Sequence, residues 1–164
     1  MKRLFLIYFL ISGLLVSYSY AQEKIIDDIS VNFGILSWEE IEKGLKEKPA
    51  THTEEFHLKM AKAMSEMHEG GFKGAYHVMV MLKNRHSGKQ IENENVWVTT
   101  LAKTGPEKIT HKLKSMTMDG YSGYGEFFKL NFHGPYIFQV KINLKSDLPV
   151  GGITHRVEFE RTIP

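Results

Sequence analysis

Met116-Thr117-Met118 places two thioethers one residue apart inside the stretch HKLKSMTMDGYSGYG, His111 to Gly125. If the backbone is extended there, both side chains project to the same side, a few ångströms apart. Thioether sulfur is a soft donor, and copper(I) favours such donors and completes its shell with imidazole. His133, in the turn Asn131-Phe132-His133-Gly134, could approach the same end of a sheet. Methionine is equally suited to filling gaps in a core. Two readings therefore stand side by side: these methionines are ligands in a glycine- and tyrosine-rich loop, or they cap the core while His133 is a turn residue.

The remaining methionines and histidines fall into patterns of their own. Phe56, Met60, Met64 and Met67 recur at helical spacing and form one apolar stripe, whose ordinary role is to dock a helix. Met64 and His68 stand at i, i+4, close enough to share a ligand. His57 is three turns from His68, roughly 16 Å along a helix axis, so those two cannot meet on one ion. His77, Met79 and Met81 share one strand face, and a lone histidine on such a face is more often simply hydrogen-bonded. The same holds for His155 beside Val157. His52, His86 and His111 read as solvent-facing.

Catalytic signatures are missing. His68-Glu69 opens like a zinc-protease motif, but Phe72 stands where the second histidine belongs. Gly120-Tyr121-Ser122-Gly123 brings its second glycine one residue too early for a nucleophile elbow. The glycines of 120–125 have neither the spacing nor the following lysine of a phosphate-cradling loop. With no cysteine and no convincing carboxylate pair, the chain is not expected to be an enzyme.

The first residues bound the setting. Lys2 and Arg3 precede an apolar run from Leu4 to Val16, and Ser19-Tyr20-Ala21 supplies small residues for cleavage after Ala21. That is the three-part layout of a secretory signal over residues 1–21. Ser12, Gly13, Ser17 and Ser19 interrupt what a retained membrane anchor, needing about 20 apolar residues, would require. Cleavage removes Lys2 and Arg3 and leaves 19 basic against 19 acidic residues, so no global charge draws the mature chain to nucleic acid. A periplasmic or secreted location is expected, with membrane attachment only if the segment is retained. An exported domain without cysteine holds itself together by packing, and any soft-metal site in it must use methionine and histidine.

Caps and periodicity outline the elements that would position these residues. Residues 22–36 carry spaced isoleucines and Phe33, as a short strand or strap would. Ser37-Trp38-Glu39-Glu40 and Thr51-His52-Thr53-Glu54 are capping boxes, predicting helices over about 38–48 and 52–69. Pro49 and Gly70-Gly71 end them. From Gly74 the period becomes that of strands, with Tyr76, Val78, Val80 and Leu82 alternating against His77, Met79 and Met81. Further strands are predicted around 96–100, 109–116, 136–144 and 153–160, with turns at 84–88, 131–134 and 147–152. The expected fold is mainly β: an immunoglobulin-like antiparallel sandwich over 74–164, preceded by a strap and two helices over 22–73.

The succession of Met116-Thr117-Met118, a glycine/tyrosine loop, a short phenylalanine-rich strand and Gly134-Pro135-Tyr136-Ile137-Phe138-Gln139-Val140 resembles the C-terminal half of YtkA-like and FixH-like domains. These small exported or anchored β-sandwiches are related in architecture to copper-binding proteins of the CopC kind. The resemblance covers roughly Gly74 to Ile163 and implies copper handling at the cell envelope. By position it makes Met116, Met118 and His133 the ligand candidates, with His77 as a fourth. The mature chain would begin at Gln22, so a copper(II) site built on an amino-terminal histidine is not expected, and the helical segment 37–69 has no counterpart in the usual core. The leading expectation is a copper(I)-binding protein of delivery or buffering. The alternative is a metal-free interaction module that docks an envelope protein through its helical arm or sheet.

Overall fold

The structure, a computed structural model, describes residues 21–67, 72–145 and 152–164. The expected signal segment before Ala21, His68 with the expected Gly70-Gly71 cap, and residues 147–151 of the expected turn lie outside the described residues. The strands are β1 (Ala21–Ile26), β2 (Ile29–Ser37), β3 (Ala75–Asn84), β4 (Asn95–Ala102), β5 (Lys108–Lys112), β6 (Lys114–Met118), β7 (Tyr121–Lys129), β8 (Gly134–Asn143) and β9 (Thr154–Ile163). Helices α1 (Trp38–Gly44) and α2 (His52–Glu66) lie between β2 and β3.

The strands form two antiparallel sheets, ordered β1-β2-β3-β7-β6 and β5-β4-β8-β9. Their inner faces meet in one apolar core, to which Val31, Phe33, Val78, Val80, Tyr124 and Phe128 come from the first sheet. Val98, Phe138, Val140, Ile142 and Phe159 answer from the second. Phe33 sits at the centre, stacked on Phe159 at 4.7 Å and tilted against Phe138 at 5.1 Å. The other face of the first sheet is covered by the helices, where Leu36, Ile41, Phe56, Leu58, Met60, Ala61, Met64, Met79 and Met81 form a second apolar cluster. Strand β3 therefore runs between two packed layers. Its two buried faces are the reason Tyr76 to Leu82 reads as nearly continuous apolar sequence.

The helices are not a preceding arm. Residues 22–36 fold as the β1–β2 hairpin, and β2 pairs with β3 along its length. The first sheet thus takes strands from both sides of residue 73. The capping residues act as their types predict: Ser37 accepts from the Glu40 amide at 3.1 Å, and the Glu40 carboxylate accepts from the Ser37 amide at 2.6 Å. Thr51 accepts from the Glu54 amide, but the Glu54 carboxylate turns to the Ala50 amide instead of closing the second box. Helix α1 stops at Gly44, short of Lys48. A Cβ on Gly44 would stand 2.8 Å from Leu58 Cδ2, so the missing side chain lets α2 press against the end of α1.

Two further differences concern the stretch that carries Met116 and Met118. The strand expected over 109–116 breaks at buried Leu113, whose amide donates to the Val96 carbonyl as the chain crosses from one sheet to the other. Beyond that break the chain forms a hairpin rather than a loop. Asp119 and Gly120 have φ of 52° and 79°, the left-handed pair that a tight two-residue β-turn demands. Met116 and Met118 consequently lie in β6, opposite Gly123 and Tyr121 of β7.

Gly123 is where α2 meets the sheet, and a Cβ there would stand 2.8 Å from Phe56 Cε1. Gly123→Ala should therefore cost about 1–3 kcal/mol, the usual penalty of overpacking, measured by urea unfolding. Unchanged stability would mean that Phe56 does not seat α2 at this point.

Candidate metal centre

The inner side of α2 carries Phe56, His57, Met60, Ala61 and Met64, all buried. It rests on the outward residues of β3 (His77, Met79 and Met81) and on Gly123, Gly125 and Phe127 of β7. Register puts Met79 opposite Gly125 and His77 opposite Phe127. A Cβ on Gly125 would stand 2.7 Å from His77 Nε2 and 2.8 Å from the Met60 methyl. This glycine makes the space into which an imidazole and a thioether both lean.

Two histidines meet in that space. His57 Nε2 is 2.9 Å from His77 Nδ1, and His77 Nε2 is 3.3 Å from Met64 Sδ. His57 is 2% exposed and His77 is fully buried. Phe127 packs edge-on against the His77 ring at 4.9 Å and restricts its rotation. Burial pushes the His57 imidazole down to about 4, opposed in part by a hydrogen bond to the His77 backbone. Burial, and then the neighbouring His57, hold His77 well below the usual histidine range. Both rings are neutral at physiological pH, which leaves each with one N–H and one lone pair.

A metal ion suits one part of this arrangement. Imidazole nitrogen and sulfur ligands lie about 2.0 and 2.3 Å from a tetrahedral ion, so the two donor atoms stand about 3.5 Å apart. The His77 Nε2 to Met64 Sδ separation of 3.3 Å is within a few tenths of that. His77 Nδ1 would then donate its proton to His57 Nε2, the kind of partner that fixes the tautomer and aim of a ligating histidine. In such a site His57 would position the ring, and His77 and Met64 would supply the donors. Among the described residues no three His, Cys, Asp or Glu side chains gather as a metal-binding group, so such a site needs thioether sulfur.

The expected ligands are distributed differently. Met116 and Met118 do project to one side, half-buried, and pack against the same helix-facing cluster as Met60, Met64 and Met79. His77 shares that face, but its partner Phe127 lies four residues further along β7 than Gly123, the partner of Met116. His133 is at the far end of the sheet. It is exposed in the β7–β8 loop and bonds the Pro164 carbonyl. The six steps along β7 from Gly123 to Lys129 span roughly 20 Å, so His133 is not brought to the methionine pair.

The fold has counterparts among solved structures. A DUF4426 family protein from Pseudomonas aeruginosa matches at TM-score 0.60 and 14% identity, covering 89% of this chain and 96% of its own. A copper-bound variant of FetP from uropathogenic Escherichia coli matches at 0.57 and 11%, covering 88% and 95%. A copper-bound variant of Campylobacter jejuni P19 matches at 0.55 and 10%, covering 88% and 97%. These proteins share this chain's fold. No protein-family model and no curated protein matches the chain, so a YtkA-like or FixH-like name finds no support, whereas the broader expectation of CopC-like architecture does.

His57 is a site residue that its distance from His68 along the helix does not reveal. The signal was present: His57, Met60 and Met64 stand at i, i+3 and i+7 of a helix, and His77 lies on the strand face turned toward them. Three other histidines among the described residues have local partners. His155 pairs with Asp27 at 2.9 Å and His86 with Asp28 at 2.8 Å, while His111 lies edge-on to Phe128. Of the methionine stripe only Met67 faces outward, at 61% exposure, because Met60 and Met64 are spent on the chain's own sheet.

The neutral pair carries a pH dependence. Unfolded His57 takes up a proton below about 6.5 while the folded state resists until about 4, so stability falls as pH drops through that window and levels below it. His57 alone should remove about 2 kcal/mol between pH 7 and pH 5. Urea unfolding at the two pH values should show this loss, and His57→Gln should reduce it. An equal slope in that variant would place the titration elsewhere.

Proposed function

We propose that this is an exported metal-binding protein that takes copper(I) through His77 and Met64, with His57 orienting His77, and serves in delivery or buffering rather than turnover. The observation that carries the reading is the buried contact of His77 Nε2 with Met64 Sδ at 3.3 Å, a neutral imidazole facing a thioether with no cysteine in the chain. Mixed soft sulfur and imidazole donors favour copper(I) over zinc, calcium or magnesium. Copper itself would supply a soft, low-coordinate acceptor; the chain supplies a buried, pre-aimed pair of donors. The sharing of a fold with copper-bound FetP and P19 agrees with the reading.

Met116 and Met118 take an outer role in this proposal. They lie half-buried on edge strand β6 and flank the seat of Phe56, so they offer a thioether pair nearer to solvent than Met64. His133 has no part in the site. Export rests on the leader pattern of residues 1–21. Among the described residues no helix is long and apolar enough to cross a membrane.

An anaerobic competition titration against a copper(I) chelator tests the assignment. Met64→Leu keeps the volume and should cost under about 1.5 kcal/mol of stability, yet weaken copper(I) binding by about tenfold or more, the equivalent of about 1.4 kcal/mol. Met116→Leu/Met118→Leu should leave the tight site in place. Tight binding lost only in the β6 double variant would move the site to the edge strand, and no binding by the unaltered protein would remove copper from the function.

A further inference from the structure

The outward face of the second sheet carries a pattern that the metal site does not use. Lys112 of β5, Trp97 of β4, Lys141 of β8 and Arg156 of β9 are successive cross-strand partners. Directly paired residues share a face, so the four side chains form one line across the whole sheet. With strands about 4.8 Å apart, that line is roughly 14 Å long. Trp97 is 37% exposed at its second position, with a cation on either side.

The cations are not consumed by the fold. Among the described residues, Lys112, Lys141 and Arg156 enter no ion pair. The acids on the same face are engaged: Glu158 accepts from Gln139 at 2.7 Å, and Glu160 pairs with Lys103 at 2.7 Å. Lys141 directly opposite Arg156 sets like charges side by side, a pairing that destabilises a sheet. The rows flanking the line are hydrogen-bonding: Asn143 with Thr154 on one side, and Thr110, Thr99 and Gln139 on the other, a row that ends in Glu158, whose carboxylate accepts from Gln139.

We propose that this line binds a linear acidic polysaccharide carrying a carboxylate on successive sugar rings. Trp97 supplies a flat apolar platform for one pyranose ring. Lys112 on one side, and Lys141 with Arg156 on the other, receive the carboxylates of that ring's neighbours, which relieves the Lys141–Arg156 repulsion. The flanking amides and hydroxyls meet the sugar hydroxyls. A single line of charge suits a linear polymer better than a bilayer, against which Glu158 and Glu160 would be pressed into anionic headgroups. One isolated aromatic likewise gives no run of stacking platforms for successive nucleobases.

Binding of polygalacturonate to the purified protein tests this, with neutral dextran, phosphatidylglycerol vesicles and oligothymidylate as comparators. Polygalacturonate should bind in a salt-sensitive manner while dextran does not. Trp97→Ala and Lys112→Gln/Lys141→Gln/Arg156→Gln should each weaken it by about tenfold or more, a loss of about 1.4 kcal/mol. All four side chains face outward, so near-ultraviolet circular dichroism and copper(I) binding should be unchanged in both variants. No binding, or binding unaltered in both variants, overturns the proposal. Tighter binding to the vesicles or to oligothymidylate, dependent on the same residues, overturns it in favour of those ligands.

Discussion

The contact between α2 and the glycines of β7 is what the rest of the structure depends on. Gly123 admits Phe56, and Gly125 admits His77 and the Met60 methyl, so the helix settles close enough for His57 and Met64 to reach the imidazole of β3. A side chain larger than hydrogen at Gly125 would meet the His77 ring itself. The same two residues thus set the packing of the helical layer and the spacing of the donor atoms.

Burying two imidazoles in an apolar layer is costly unless each is hydrogen-bonded. The pair meets that demand between the two rings, His57 Nε2 to His77 Nδ1 at 2.9 Å. Stability alone does not call for it, because replacing both members of a buried polar pair by apolar groups is often nearly neutral. Leu, Phe or Met at 57 and 77 would serve the helix–sheet contact as well. A neutral imidazole aimed at a thioether in a buried layer is, however, what a soft cation requires. The inner core fixes β3 from its other face through Val78, Val80 and Leu82, so His77 is held on a strand that is braced from both sides.

Much of this was legible in the sequence, and the reasons are specific. Both helix starts were readable because Ser37 and Thr51 do what short hydroxyl side chains do at a helix N-terminus. Strand β3 was readable because its alternation is apolar on both faces. The hairpin of β6 and β7 was readable too, since Asp119-Gly120 is the strongest short turn signal available, but the surrounding glycines and tyrosines masked it as a loop. What the sequence could not carry was register. Nothing local says that β2 pairs with β3 across the intervening helices, which makes residues 22–36 part of the first sheet. Nothing local says that His133 lies at the opposite end of β7 from Met116. The histidine pair was hidden for the same reason: His57 and His77 are brought together only by how a helix seats on a sheet.

The first coordination shell of copper(I) in the loaded protein is the most direct measurement of the central claim. X-ray absorption at the copper edge should show sulfur together with imidazole nitrogen, and the sulfur contribution should fall in Met64→Leu. A shell of nitrogen and oxygen alone, or a sulfur contribution unchanged in Met64→Leu, would contradict a site built on His77 and Met64.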